Sequence, residues 1–402
     1  MMIGLASAIL AVAAEPCVAN NMDQPEPASV EPQETERPVA LQLGYAADIW
    51  SVAHGGLDRR TRYLDNLDLT ISADLERLGG PSGTRLFAYM LYNNGVRFSD
   101  GGVGDAQVVS NIETGVRALR LYEAWVEHET GSISARFGLY DLNSEFDALE
   151  ASTFFLGSEH GIGTDIAQTG HNGPSIFPST SLALRLQARL EDGFVVRGAV
   201  LDGVPGDPDH PRRTAIRLGQ NDGALLVGEI DRTFGDLRLL AGYWAYTARF
   251  EDQSAPQVAG APVLRRGNRG FYLRGEARLA QRASVGRLDG FVRFGKAASR
   301  FNRFDGFVSF GLVLSGPFPR HPEDQLGAAL AVARTSSNYR ALAASQDVMP
   351  RRHETALELS YRHLFSKHFS VQPDIQYILN PGLRSGSNAL AVGLRLEFLL
   401  RR

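Results

Sequence analysis

The chain has 402 residues, a formal net charge of −4 and one cysteine, Cys17. That charge gives no general pull toward nucleic acid, and a lone thiol excludes an intrachain disulfide or a cysteine metal cluster. Mean hydropathy is −0.15, and no run of about eighteen apolar residues follows the N-terminus; this excludes a helical membrane protein but not a barrel, whose lipid-facing and lumen-facing residues alternate and average out.

Residues 3–14 form an apolar run of signal-peptide length followed by small residues, so 1–19 reads as an export signal with cleavage after Ala14 or Ala19. The usual basic stretch ahead of the apolar run is missing. Residues 20–38 are rich in Pro, Glu and Gln and read as a disordered tether.

From Val39 the chain breaks into alternating segments: 40–50, 65–75, 84–93, 117–129, 132–140, 180–190, 194–202, 223–233, 236–249, 270–280, 286–298, 303–314, 326–335, 354–365, 368–380 and 388–399. Period two is a strand signal. Leu67, Leu69, Ile71 and Ala73 oppose Asp68, Thr70, Ser72 and Asp74. Leu182, Leu184, Leu186 and Ala188 oppose Ala183, Arg185, Gln187 and Arg189. The segments at 84–93 and 117–129 are apolar on parts of both faces.

The connections sort into two kinds. Those after even-numbered segments are mostly tight, as at ETGS near 130, EDG near 192, FGD near 235 and FSK near 366. Those after odd-numbered segments are mostly long: 51–64, 94–116, 141–179, 203–222, 250–269 and 336–353. The connections 281–285 and 315–324 are longish for tight turns, and 299–302 is short for the other side. Short turns on one rim and long loops on the other predict an all-β fold, a transmembrane antiparallel barrel of about 16 strands over 39–402, with periplasmic turns and extracellular loops. After Val39 every proline except Pro373 falls in a connection. Proline cannot donate to a ladder, so a bulge or ladder defect is expected at Pro373. A β-propeller would need a recurring four-strand period, and a set of sandwiches would need linkers; neither occurs. The connection 141–179 is too long to be idle and is expected to fold into the lumen and narrow it.

No hydrolase elbow, phosphate loop or zinc helix occurs, so no catalysis, metal site or cofactor is expected. His160 and His171 read as ordinary loop histidines, and Asp207–Pro208–Asp209 as a polar turn. The inward phase of the strands carries Arg136, Arg185, Arg189, Arg238, Arg274, Arg293 and Arg395, with Asp48, Asp68, Asp289, Glu276, Asp374 and Glu397. Such charges can simply solvate a barrel interior, or they can form a mixed-charge constriction. Guanidinium forks and carboxylates can hydrogen-bond vicinal hydroxyls of a sugar from two sides, and Trp125, Trp244 and Tyr246 offer flat apolar faces to a pyranose.

Several stretches resemble the carbohydrate-selective porin family, the OprB-like sugar porins of Gram-negative outer membranes. They are GDAQVVSNIE (104–113), LYEAWVE (121–127), FGLYDLNSEFD (137–147), STFFLGSEHGIG (152–163), GPSIFPSTSLALRL (173–186), VLDGVPGDPDHP (200–211), NDGALLVGEI (221–230), QPDIQYILNPG (372–382) and AVGLRLEF (391–398). The resemblance implies a sixteen-stranded barrel that passes sugars such as glucose by passive diffusion, with loops that close down the pore. It marks Asp105, Asn111, Glu123, Asp141, Asn143, Asp147 and Ser158 as loop-anchoring or lumen positions. Expected partners are mono- and oligosaccharides and outer-membrane lipids, with a homotrimer open as the assembly. A general-diffusion, anion or polyol porin is the alternative, and an outer-membrane barrel enzyme with an active site at its rim the more distant one.

Overall fold

A computed structural model describes residues 37–255, 261–282, 286–384, 386 and 388–402. The expected signal and the expected tether, apart from Arg37 and Pro38, lie outside these residues.

The wall begins with β1 (Val39–His54), β2 (Thr61–Asp74), β3 (Thr84–Asn93), β4 (Ala118–Thr130), β5 (Ile133–Tyr140), β6 (Ser181–Arg189), β7 (Phe194–Asp202), β8 (Ala224–Phe234) and β9 (Leu237–Tyr246). A small ribbon, β10 (Phe250–Glu251) with β11 (Leu264–Arg265), decorates the next connection. The wall resumes with β12 (Arg269–Arg282), β13 (Gly286–Ala297), β14 (Phe304–Ser315), β15 (Gln325–Thr335), β16 (His353–Ser366), β17 (Phe369–Leu379) and β18 (Ala389–Arg401). Each wall strand pairs antiparallel with the next, and β18 pairs back onto β1 with Asp48 opposite Arg395. The result is a closed barrel of 16 strands. Closure pairs each wall strand on both sides and leaves no edge, which a wall in hydrocarbon requires.

Every one of the sixteen predicted segments became a wall strand. Two connections differ from expectation. The stretch 51–64 is not a long loop, because pairing continues to Ser51↔Thr61 and leaves only 55–60 between β1 and β2. The predicted segment 236–249 ends at Tyr246. Strand ends such as Ser51 and Thr61 carry no apolar face, so their sequence lacks the alternation that marks the rest. At Pro373 the β17–β18 ladder runs through in register, while the β16–β17 ladder loses its pairs between Ser360↔Asp374 and His363↔Val371 without shifting. The defect is a gap rather than a bulge.

The outer face is apolar. Phe137, Leu184, Leu186, Val200, Leu273, Val292, Phe310 and Leu359 are all exposed, whereas the arginines that alternate with them are buried. An apolar exterior this large would make a water-soluble protein aggregate, and is what a bilayer covers. At the tight-turn rim Phe369 stacks on Phe365 and Phe398, with ring centroids 5.5 and 4.6 Å apart, a piece of an aromatic girdle. Among the described residues no helix is long and apolar enough to cross a membrane.

Candidate functional site in the barrel lumen

The long connection 141–180 turns inward at once. Asp141 accepts the Asn143 N–H at 2.8 Å and the Tyr122 hydroxyl at 2.6 Å, and its own N–H is taken by Glu123 at 3.0 Å. This cap bends the chain into the lumen as β5 ends. Leu142, Phe146, Leu149, Phe154, Phe155, Ile162 and Ile166 then pack in one core with inward residues of the wall, among them Phe87, Tyr89, Leu91, Trp125, Trp244, Tyr272 and Phe291. Burial of each such side chain contributes about 1.5–3 kcal/mol, so the loop is held chiefly by apolar packing. This is why 84–93 and 117–129 look apolar on both faces: one face meets lipid and the other meets the loop.

Polar anchors fix the loop's path. Arg274 donates to the carbonyls of Asp147, His160 and Gly161 and to Ser152 Oγ. Arg293 grips the Asp147 carboxylate and, at 2.6 Å, Asp165. Asn143 Nδ2 donates to the carbonyls of Phe146 and Asp147. From the opposite wall Glu358 accepts the N–H groups of Leu156 and Gly157, and Gln372 donates to the Phe154 carbonyl. Room for the loop comes from small inward residues on β15, Gly327, Ala329, Ala331 and Ala333; a Cβ on Gly327 would meet the Phe154 ring at 2.5 Å.

A second connection, 94–117, also folds inward. Glu354 accepts the N–H groups of Ala106 and Gln107, both at 3.0 Å. Arg395 pairs with Asp48 at 2.7 Å and donates to Asn111 at 2.7 Å. Asp105 caps its own turn by accepting the Val108 N–H at 2.7 Å. Burial pushes the Asp105 carboxyl up to about 6 and that of Glu113 up to about 7. The two inward loops meet where Asn111 N–H donates to the Leu156 carbonyl and Ser158 N–H to the Val108 carbonyl.

A chain of alternating charge, mostly buried, runs along the wall from β4 to β12. Arg136 and Arg185 both reach Glu127 and the loop's Glu145; Arg185 does so at 2.6 and 2.7 Å. Burial alone would raise the Glu145 carboxyl, but Arg136 and Arg185 hold it below the usual range. Arg197 bridges Glu229 and Asp231, and Arg238 bridges Asp231 and Glu276. Arg238 is the most open of these, with 29% of its side chain exposed.

The expected site residues therefore divide. Arg136, Arg185 and Arg238 lie in this chain. Arg274, Arg293, Arg395, Asp105, Asn111, Glu123, Asp141, Asn143 and Asp147 hold the two inward loops. Arg189 does not join them: it pairs with Glu129 near the tight-turn rim with 54% of its side chain exposed. No flat aromatic platform is offered at the expected positions. Arg136 covers the Trp125 ring at 3.8 Å, and Trp244 and Tyr246 are buried in the core that the loop completes. Glu127, Glu145, Arg197, Glu229 and Asp231 were missed. For those on strands the signal was present, since Val196, Leu226 and Ile230 face out between them. Asp207 is a polar turn, taken up by His210 and Arg217.

The sequence model of the carbohydrate-selective porin, OprB family, matches residues 58–400. Porin B of Pseudomonas aeruginosa is 23% identical over 415 aligned positions, covering 90% of this chain and 87% of that protein. The high pH structure of Pseudomonas putida OprB has 20% identity and a TM-score of 0.79, covering 90% of this chain and 94% of that one. A mutant porin of Rh. blastica, 10% identical, gives 0.54 over 90% of this chain and 100% of that one, a likeness of barrel alone.

Proposed function

The chain belongs to the carbohydrate-selective porin (OprB) family, and from that premise we propose that sugars cross its lumen by passive diffusion along the Arg–carboxylate chain between β4 and β12. A porin of this family works in the outer membrane and moves its solute down a gradient without chemistry. The observation that carries the reading is the run from Glu127 through Arg185 to Glu145, whose backbone carbonyl accepts from Arg197, and on through Asp231 and Arg238 to Glu276. Its charges nearly cancel, so neither anions nor cations gain a strong foothold. A neutral polyol can do what an ion cannot: its hydroxyls donate to the carboxylates and accept from the guanidiniums at once. Because each side chain already has a partner, a sugar only exchanges one hydrogen bond for another. Binding is then weak enough for the solute to leave.

Single-channel conductance in a planar bilayer tests this, with glucose, a disaccharide and succinate added in turn. Block by glucose at millimolar levels with little effect of succinate supports the reading. Open current with no sugar block would make the barrel a general-diffusion pore, and block by succinate an anion pore.

Residues 1–19 would direct export and be removed, leaving 20–38 as a tether on the periplasmic side. Lipid is the partner that suits the exposed Phe137, Leu184 and Leu273. The mass of the detergent-extracted barrel distinguishes a single copy from a homotrimer.

A further inference from the structure

Where the inward loop touches β16, four ionisable side chains converge in a place sealed from water. Glu159 and His160 come from the loop, Glu358 from β16 and Asp374 from β17; all four are buried. His160 Nε2 lies 3.4 Å from Glu358 Oε2 and 3.9 Å from Glu159 Oε1. Donor atoms of Glu159, His160 and Glu358 all lie within 4.8 Å of one another. Asp374 is opposite Ser360, two residues from Glu358, so both carboxylates project from neighbouring strands into the lumen.

Two features make this more than an acidic cluster. The His160 imidazole has no solvent exposure, yet neither ring nitrogen has a hydrogen-bond partner; Glu159 Oε2 is also unpartnered. Buried polar groups are almost always paired, because an unpaired one forfeits its hydration for nothing. No lysine or arginine among the described residues forms an ion pair with Glu159, Glu358 or Asp374; Arg274, which donates to the His160 carbonyl, is occupied by the carbonyls of the loop. Gly157 lies against the cluster, and only a residue without a side chain fits there, because a Cβ would stand 2.8 Å from both Glu159 Oε2 and Glu358 Oε2.

We propose that Glu159, His160 and Glu358, with Asp374 beside them, form a binding site for one divalent metal ion of the Zn2+ or Mn2+ type, which pins the constricting loop to the barrel wall. One imidazole nitrogen with carboxylate oxygens suits these ions, whereas Ca2+ and Mg2+ take oxygen donors. Donors around a tetrahedral zinc stand roughly 3.4 Å apart, so the present spacing needs only closure of side chains. The His160 ring is wedged between Phe155 and Phe291, at 5.0 and 6.0 Å, which fixes its orientation and keeps water out. Spacing along the chain hides such a site, since Glu358 follows Leu156, whose N–H it holds, by 202 positions.

The test is metal analysis of the full-length barrel, untagged and extracted from membranes without chelator. His321→Ala is built into every sample, because His321, Asp324 and His363 form a more exposed group that could hold an ion. About one equivalent of zinc or manganese is expected, either as isolated or after loading and desalting, and it falls at least tenfold in His160→Ala and in the isosteric Glu159→Gln. Heat-modifiable gel mobility shows that each barrel is folded. Chelation should also raise single-channel conductance in the parent and leave both variants unaffected. A parent that takes up neither ion, or a folded Glu159→Gln that binds as well as its parent, overturns the proposal. Sugar block of the channel is independent of this result, so failure here leaves the transport reading untouched.

Discussion

Arg293 of β13 holds Asp147 of the inward loop through two guanidinium nitrogens, at 3.0 and 2.8 Å, with both side chains at most 1% exposed. The pair spans 146 residues of sequence and ties the constriction to the wall. Arg293→Leu would leave Asp147 and Asp165 buried without this partner. Breaking one side of a buried pair costs about 3–5 kcal/mol, enough to release this part of the loop while the sixteen-strand ladder persists. Higher single-channel conductance and new protease cleavage within 141–180 are expected. A folded variant with parental conductance and no cleavage would show that apolar packing alone holds the loop.

Removal of the loop's central portion, 148–162, should raise conductance further than Arg293→Leu, because it takes away Phe154, Phe155 and Leu156 together with the backbone groups that Glu358 and Gln372 hold. The measurement is conductance of a barrel that still shifts on heating in a gel. Unchanged current in that barrel would mean the narrowest point lies elsewhere.

Arg238 faces the lumen and its neighbour Leu239 faces out. After Cys17 is replaced by serine, a charged, water-soluble thiol reagent should modify Arg238→Cys in membranes and spare Leu239→Cys. The reverse pattern would place the strand one residue out of register, which flips every side chain.

Arg238→Ala should weaken sugar block. Loss of one such hydrogen-bonding group corresponds to about 0.5–1.5 kcal/mol, or roughly 2- to 10-fold in the glucose concentration needed. It also frees Asp231 and Glu276 from a cation they share, so reversal potentials should shift toward cation preference. Sugar block equal to the parent's would remove Arg238 from the solute path.

The 94–117 loop should dock less firmly as pH rises. Burial raises Asp105 to about 6 and Glu113 to about 7, above their unfolded carboxyl range. A folded-state pKa raised in this way gives stability that is complete below the unfolded value and is lost as pH climbs through 6 to 7. Asp100, and Glu354 of β16 facing the same turn, add like charge. Hydrogen exchange of amides 99–113, corrected for intrinsic rates, should be slower at pH 5 than at pH 8. Equal protection at both would contradict the assignment.

Alternation along the strands, the placement of prolines and the two kinds of connection were enough to read the barrel, its strand number and the inward face of Arg136, Arg185 and Arg238. These are local properties: a strand's period of two is written in neighbouring residues, and a ladder only extends it. The division of labour among the inward charges was not readable. Arg274, Arg293 and Arg395 look like Arg136 in sequence, yet they grip loops, because what an inward arginine meets depends on which connection enters the barrel beside it. Trp125 and Trp244 look like open platforms and are covered for the same reason. The convergence of His160 with Glu358 and Asp374 is further still from local pattern. Alternation decides which side of the wall a residue faces; only closure of the wall and entry of the loops decide its partner, since apolar packing across the lumen joins residues that the chain separates by hundreds of positions.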